Sequence, residues 1–237
     1  MGAGVDIVPG VAPDPEPTRR KLVDAAIRLF AEHGVQGVSR AQIVREAEQR
    51  NTAALVYHFG DLDGVLRVIV DENMRRVRER RMVMLAEAVA ASGTAVRPIV
   101  RALVVPIADL ADGDARDRAC LRIHAEVTGG VWSADSARDL VREGGAAEVE
   151  HELARRCPGI PADLLAERCM LLAAFVVRSA SARATALALG RDHEFRLSHG
   201  RFVANLIDVA VAGVTAPISP EAMPEGSDVV PGSRAVT

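Results

Sequence analysis

The residues best equipped for recognition chemistry lie in one short run, Arg50 to His58, within the segment "EQRNTAALVYHFG". Arg50 and Asn51 carry paired hydrogen-bonding groups that suit the major-groove edges of guanine and adenine. Thr52, Ala53 and Val56 are small or apolar, so a helix bearing them can approach base edges and meet thymine methyls. Tyr57 and His58 offer a hydroxyl and an imidazole to phosphate oxygens, contacts that fix register without reading sequence. Ser39 and Arg40, a little upstream, complete the candidate DNA-contacting set. Aromatic residues make up only 3% of the 237-residue chain and Tyr57 is its single tyrosine, so the triplet Tyr57-His58-Phe59 stands out.

Charge is distributed to match. From Thr18 to Arg81 there are thirteen basic and nine acidic residues, a net of +4, against −3 for the whole chain. A basic front on an acidic body suits a polyanion-binding head; on charge alone an ordinary solvated surface is the simpler reading. Other chemistries find less support. The pairs His124/Glu126, His151/Glu152 and His193/Glu194 lack the helix-face spacing of a metal site. Cys120, Cys157 and Cys169 are odd in number, without metal spacing, and fit a reduced cytoplasmic protein. No nucleophile–base constellation is visible, so no catalytic residue, metal or cofactor is expected.

The elements that must position these residues are helices. Hydrophobic residues are 49% of the chain, aromatics are scarce, and no stretch alternates at period two, which together predict an all-α fold. Thr18 can cap a first helix to about His33, with Gly34 as its stop. Ser39 can cap a short second helix through Ala47, and Asn51 a third that ends before Gly60. Leu55 and Phe59 share the inward face of that third helix. Asp61 can cap a long fourth helix ending near Gly93. Further helices are predicted over Thr94–Leu110, Asp114–Thr128, Ser133–Arg156, Pro161–Leu189 and Asp192–Ala212. Residues 1–16 and 215–237 are rich in proline and glycine and read as a disordered arm and tail. The apolar run Cys169–Val177 is too short to span a bilayer, which needs about 20 residues, and no membrane segment is expected.

Ser39 to Phe59 has the layout of a helix-turn-helix. Together, "AAIRLFAEHG", "IVREA", "YHF" and the paired hydrophobics that follow resemble the DNA-binding half of the TetR family of bacterial transcriptional regulators, over about residues 18–70. Three features depart from that family's pattern. Ala47 and Leu55 are one residue further apart. Glu48 stands where the family's turn commonly has glycine, which implies a rebuilt turn with Asn51 as N-cap. Asp61-Leu62-Asp63 replaces a phosphate-contacting lysine, a loss that Arg40, Arg45 and Arg67 would offset.

The resemblance implies a helix-turn-helix DNA-binding domain over 17–71 and a larger helical domain over 72–214 for effector binding and dimerisation. It implies a cytoplasmic homodimer that binds a palindromic operator in double-stranded DNA, most simply as a repressor, and responds to an unidentified small molecule. Candidate pocket residues are Met82, Arg97, Val105, His124, Trp132, Cys169 and Phe175, with Arg97 placed to meet an acidic ligand. Phe195, His199, Phe202, Leu206 and Ala210 form a stripe suited to a two-fold contact. The rival readings are a helical interaction module with weakened DNA binding and, behind it, an all-helical enzyme.

Overall fold

The computed structural model describes residues 15–49, 51–91, 93–131 and 144–222. The chain forms two compact units, Met1–Val70 and Asp71–Thr237. Residues 1–14 of the arm expected over 1–16, the end of the tail over 223–237, Arg50, Trp132 and the first part of the helix predicted from Ser133 lie outside the described residues, while residues 15 and 16 open the first helix instead of belonging to an arm. Every described element is helical, and no strand occurs among the described residues.

In the first unit, helix α1 spans Pro15–His33. It begins three residues before Thr18, on a proline, whose fixed φ and missing N–H suit a first helical position. Its end is marked by Gly34 at φ 75°, whose N–H meets the Phe30 carbonyl at 2.9 Å. Helix α2 spans Arg40–Glu46 and carries a capping box. The Gln42 N–H donates to Ser39 Oγ at 3.3 Å, and the Ser39 N–H donates to Gln42 Oε1 at 2.8 Å. Helix α3 spans Ala53–Phe59, and α4 spans Leu62–Ala90. Asp61 caps α4 by accepting the Gly64 N–H at 2.8 Å. Leu22, Ala26 and Phe30 of α1, Ile43 of α2, Leu55 of α3 and Val65 and Ile69 of α4 form the core of this unit. Arg28 reaches from α1 to Glu46 of α2 at 3.2 Å, an exposed pair that adds at most about 1 kcal/mol.

The second unit contains the rest of α4, then α5 (Arg97–Ala108), α6 (Ala115–Glu126), α7 (Ala146–Arg156), α8 (Ala162–Ala188) and α9 (His199–Thr215). Helix α5 is buried nearly all round, and α8 packs on α5, α6, α7 and α9. Asp114 caps α6, whose last turn widens into a π-turn over Val127–Val131. The last helix does not start at Asp192. Residues Asp192–Glu194 form a single 3-10 turn, and Phe195 lies in the connection before Ser198, the N-cap of α9. By length and composition α8 could cross a membrane. It packs on four helices, with Arg183 buried along it, as a core helix does.

Candidate nucleic-acid interface

The connection between α2 and α3 sets how α3 is presented. Glu48 keeps a left-handed backbone, φ 56°, and is the single non-glycine residue with positive φ among the described residues. The Glu48 N–H donates to the Arg45 carbonyl at 3.0 Å and the Gln49 N–H to the Val44 carbonyl at 2.9 Å. These two bonds make a Schellman ending, in which the left-handed residue is usually glycine. The expected rebuilding of the turn at Glu48 therefore does not occur. The helix ending imposes the left-handed angle, and the glutamate tolerates it at a cost of about 1 kcal/mol.

The extra residue is absorbed further along. Asn51 Oδ1 accepts the Ala53 N–H at 2.8 Å, and the Asn51 carbonyl accepts the Ala54 N–H at 3.2 Å. Thr52 is already in the right-handed helical region and makes no side-chain cap. Asn51 thus caps α3 as expected. With its amide oxygen so engaged, it does not present the free amide pair that adenine recognition requires.

Helix α3 then divides by face. Leu55 is fully buried against the first unit's core. Phe59, expected as a core anchor, is half-buried instead, with the Arg19 guanidinium 5.7 Å over its ring. Thr52, Ala53, Val56 and Tyr57 are all exposed, at spacings that place them on one face. Tyr57 is 80% exposed and Val56 49%. His58 is half-buried and packs edge-on against Tyr57, with ring centroids 5.0 Å apart. Ser39 spends its hydroxyl on the capping box, whereas Arg40 and Arg45 are exposed on α2.

One position with a strict requirement escaped the sequence reading. At Gly64, a Cβ would fall 1.9 Å from the Phe59 carbonyl oxygen. The corner between α3 and α4 is that tight, and only glycine fits it. The signal in the sequence is a glycine inside the first turn of an otherwise ordinary helix.

The second unit holds two spaces of different kinds. An internal cavity of about 30 Å³ is lined by Met74, Arg81, Leu103, Ile107, His124 and Val177 among others. An open groove of about 660 Å³ runs between Met82, Leu85 and Val89 of α4 and Glu148, His151 and Glu152 of α7. Of the candidate pocket residues, His124 lines the cavity and Met82 the groove. Arg97, Val105, Cys169 and Phe175 line neither space. Arg97 is exposed and pairs with Asp208, so it is not aimed at a ligand. Val105 and Cys169 are buried in packing, and burial pushes the Cys169 thiol up to about 12. Phe175 is 41% exposed on the outside of α8.

Two arginines are buried among the described residues, Arg183 and Arg81, and Arg81 lies in the cavity wall. It donates from Nε to the Ala102 carbonyl at 3.1 Å, from Nη2 to the Leu103 carbonyl at 3.1 Å and from Nη1 to the Gly144 carbonyl. The first of these has a cause inside α5. Pro106 has no N–H, so the carbonyl four residues earlier, that of Ala102, lacks its helical donor. Arg81 supplies it. Burial pulls the Arg81 guanidinium down to about 10, so it stays charged at neutral pH. Next to it, burial and the Arg81 charge hold His124 down at about 4, so its ring is neutral there. The sequence carried the clue: Met74, Val77, Arg81 and Leu85 share one helical register on α4, and all four are buried.

The stripe expected at a two-fold contact packs inward. Phe202, Leu206 and Ala210 are buried within their own chain. Phe195 meets Phe202 edge-on at 6.1 Å, and the Arg183 guanidinium lies 5.0 Å over the Phe202 ring and 5.6 Å over that of Phe195. His199 Nε2 lies 2.9 Å from Asp109 Oδ1. Burial of this stripe is thus satisfied inside one chain. The apolar side chains left outside on α8 and α9 are Met170, Leu171, Phe175 and Val209.

Comparison with known proteins agrees with this geometry. Residues 22–69 match the family model described as bacterial regulatory proteins, tetR family. Over 65 residues the chain is 32% identical to the HTH-type transcriptional repressor AcnR of Corynebacterium glutamicum. That match covers 27% of this chain and 34% of AcnR, so the chain spans about a third of the length of this curated relative. Among solved structures, the fatty acid degradation regulator FadR from Bacillus halodurans is similar in fold, with a TM-score of 0.57 at 16% identity, covering 84% of this chain and 97% of its own. FadR from Bacillus subtilis, solved in complex with stearoyl-CoA, gives 0.56 at 14% identity, covering 82% and 98%.

Proposed function

We propose, from an amino-terminal unit that is a DNA-binding domain of the TetR family of bacterial regulators, that the chain is a cytoplasmic, ligand-responsive repressor acting as a homodimer on a palindromic operator. The observation that carries the reading is the open face of α3. Thr52, Ala53, Val56 and Tyr57 are presented together to solvent on a helix whose other side is locked into the core by Leu55. A tyrosine left 80% exposed in a chain with a single tyrosine calls for a partner, and a phosphate oxygen suits its hydroxyl. Arg40 and Arg45 on α2 supply charge where the acidic Asp61 and Asp63 do not.

Dimerisation is supported by Met170, Leu171, Phe175 and Val209, large apolar side chains left exposed on α8 and α9. It is also required mechanically: a seven-residue helix reads too few base pairs, whereas two of them set about 34–36 Å apart read successive major grooves of a palindrome. Effector response is supported by the cavity and groove of the second unit and by α4, which carries the chain from one unit into the other. A ligand acts through its difference in affinity between the DNA-competent and DNA-incompetent states.

The deciding experiment is selection of bound fragments from the source genome, followed by footprinting at several salt concentrations. A protected palindrome whose affinity falls steeply with salt is expected. Salt-sensitive but sequence-indifferent binding would sink the operator reading. No DNA binding by a folded dimer would favour the interaction module instead.

A further inference from the structure

The second unit contains a buried cation that forms no ion pair with an acid among the described residues. Arg81 is 4% exposed, and its three contacts are all to main-chain oxygens. No carboxylate among the described residues pairs with it. Glu148, the acid that acts on it electrostatically, is held by Arg78 at 2.5 Å. A guanidinium has five N–H donors, so two have no partner among the described residues. In the same cavity wall His124 is 3% exposed, and its Nδ1 is buried without any hydrogen-bond partner. The remaining walls are apolar, with Ile107, Ala173 and Val176 among them. Buried polar atoms are nearly always paired, so a cation and an imidazole nitrogen left open on one cavity point to an absent acceptor.

We propose that this cavity binds a small monocarboxylate, with its oxygens on the free N–H groups of Arg81 and on His124 and its short apolar tail against Ile107 and Val176. Charge selects the class: one buried positive charge is balanced by one negative charge, and planar oxygens suit a guanidinium fork. A phosphate would bring close to two charges into mostly apolar walls. Size sets the tail, since about 30 Å³ admits only a few heavy atoms. The surrounding carbonyls hold the guanidinium in place before any ligand arrives, so little ordering is lost on binding. Binding stands on these contacts alone. Its use as a signal that alters operator affinity rests on the function proposed above.

The test uses the full chain and sodium propionate as the probe. Propionamide serves as the uncharged isostere and sodium chloride as the control at matched ionic strength. Propionate should raise the thermal midpoint with dose, as a ligand of the folded state does. Titration calorimetry should find propionamide weaker by about ten-fold or more, the loss expected for charge-assisted bonds. Ala173→Leu fills the cavity without touching the Arg81 contacts and should abolish the response. Arg81→Lys, which keeps the charge but not the fork, should weaken binding by about ten-fold. Equal midpoint shifts with chloride or propionamide overturn the proposal, as does an unchanged propionate response in Ala173→Leu. An operator-shift assay run beside these titrations separates the two ideas. Propionate binding without operator selectivity leaves the site and removes the regulator; operator selectivity with no propionate response does the reverse.

Discussion

Tyr57 is largely exposed, with a ring contact to the edge of His58, so its removal has little to disturb in the fold. Tyr57→Phe should lower operator affinity by about ten-fold, the value of a hydrogen bond to a charged oxygen, with an unchanged unfolding midpoint. Footprint titration beside urea unfolding checks both halves. Glu48 poses the opposite case, a residue whose left-handed backbone angle costs stability. Glu48→Gly should stabilise the first unit by about 1 kcal/mol, read as a higher urea midpoint at constant m-value. His124 makes stability depend on pH. Its folded value near 4 lies below the ordinary 6.5, so the unfolded chain binds the extra proton as pH falls, and stability is lost from about pH 6.5 downward. Between pH 7 and pH 5 the loss should be about 2 kcal/mol, and His124→Leu should flatten that slope in urea titrations.

At the scale of elements, the corner between α3 and α4 is held by close backbone approach at Gly64 and by the Asp61 cap on its N–H. Gly64→Ala drives a methyl into the Phe59 carbonyl and should cost about 2 kcal/mol or more, with α3 losing protection first in hydrogen exchange. This corner also marks where sequence legibility ends. The caps at Ser39, Asn51 and Asp61 were readable because each is a short-range bond between a named side chain and an amide three or fewer residues on. The described helices followed from periodicity, and the family resemblance located α3. What could not be read was long-range. Nothing local in the sequence says that the stripe from Phe202 to Ala210 turns inward, or that Phe195 sits before the helix instead of on it. Arg97, placed by its sequence to meet an acidic ligand, instead reaches Asp208 on α9, more than a hundred residues on. Arg81, hidden in an arginine-rich run, is buried because its register on α4 is that of Met74 and Val77.

For the whole molecule, assembly and signalling are the properties at stake. Leu171 is 62% exposed near Met170 and Phe175 on α8. Leu171→Glu should convert a dimer to a monomer in sedimentation velocity and abolish operator footprints while leaving the helical circular dichroism signal intact; a dimer that survives it places the subunit contact elsewhere. The pairing of Arg81 with Pro106 has a further consequence, for which changes this protein can accept. A proline in the middle of a buried helix would ordinarily be selected against, and so would a buried arginine with no acid. Here each removes the other's liability, since the carbonyl released by one is the acceptor needed by the other. Neither can be exchanged alone at low cost, so a lineage that alters one is pushed to alter both. The two positions, 25 residues apart in sequence and on different helices, are thereby tied into a single unit of inheritance.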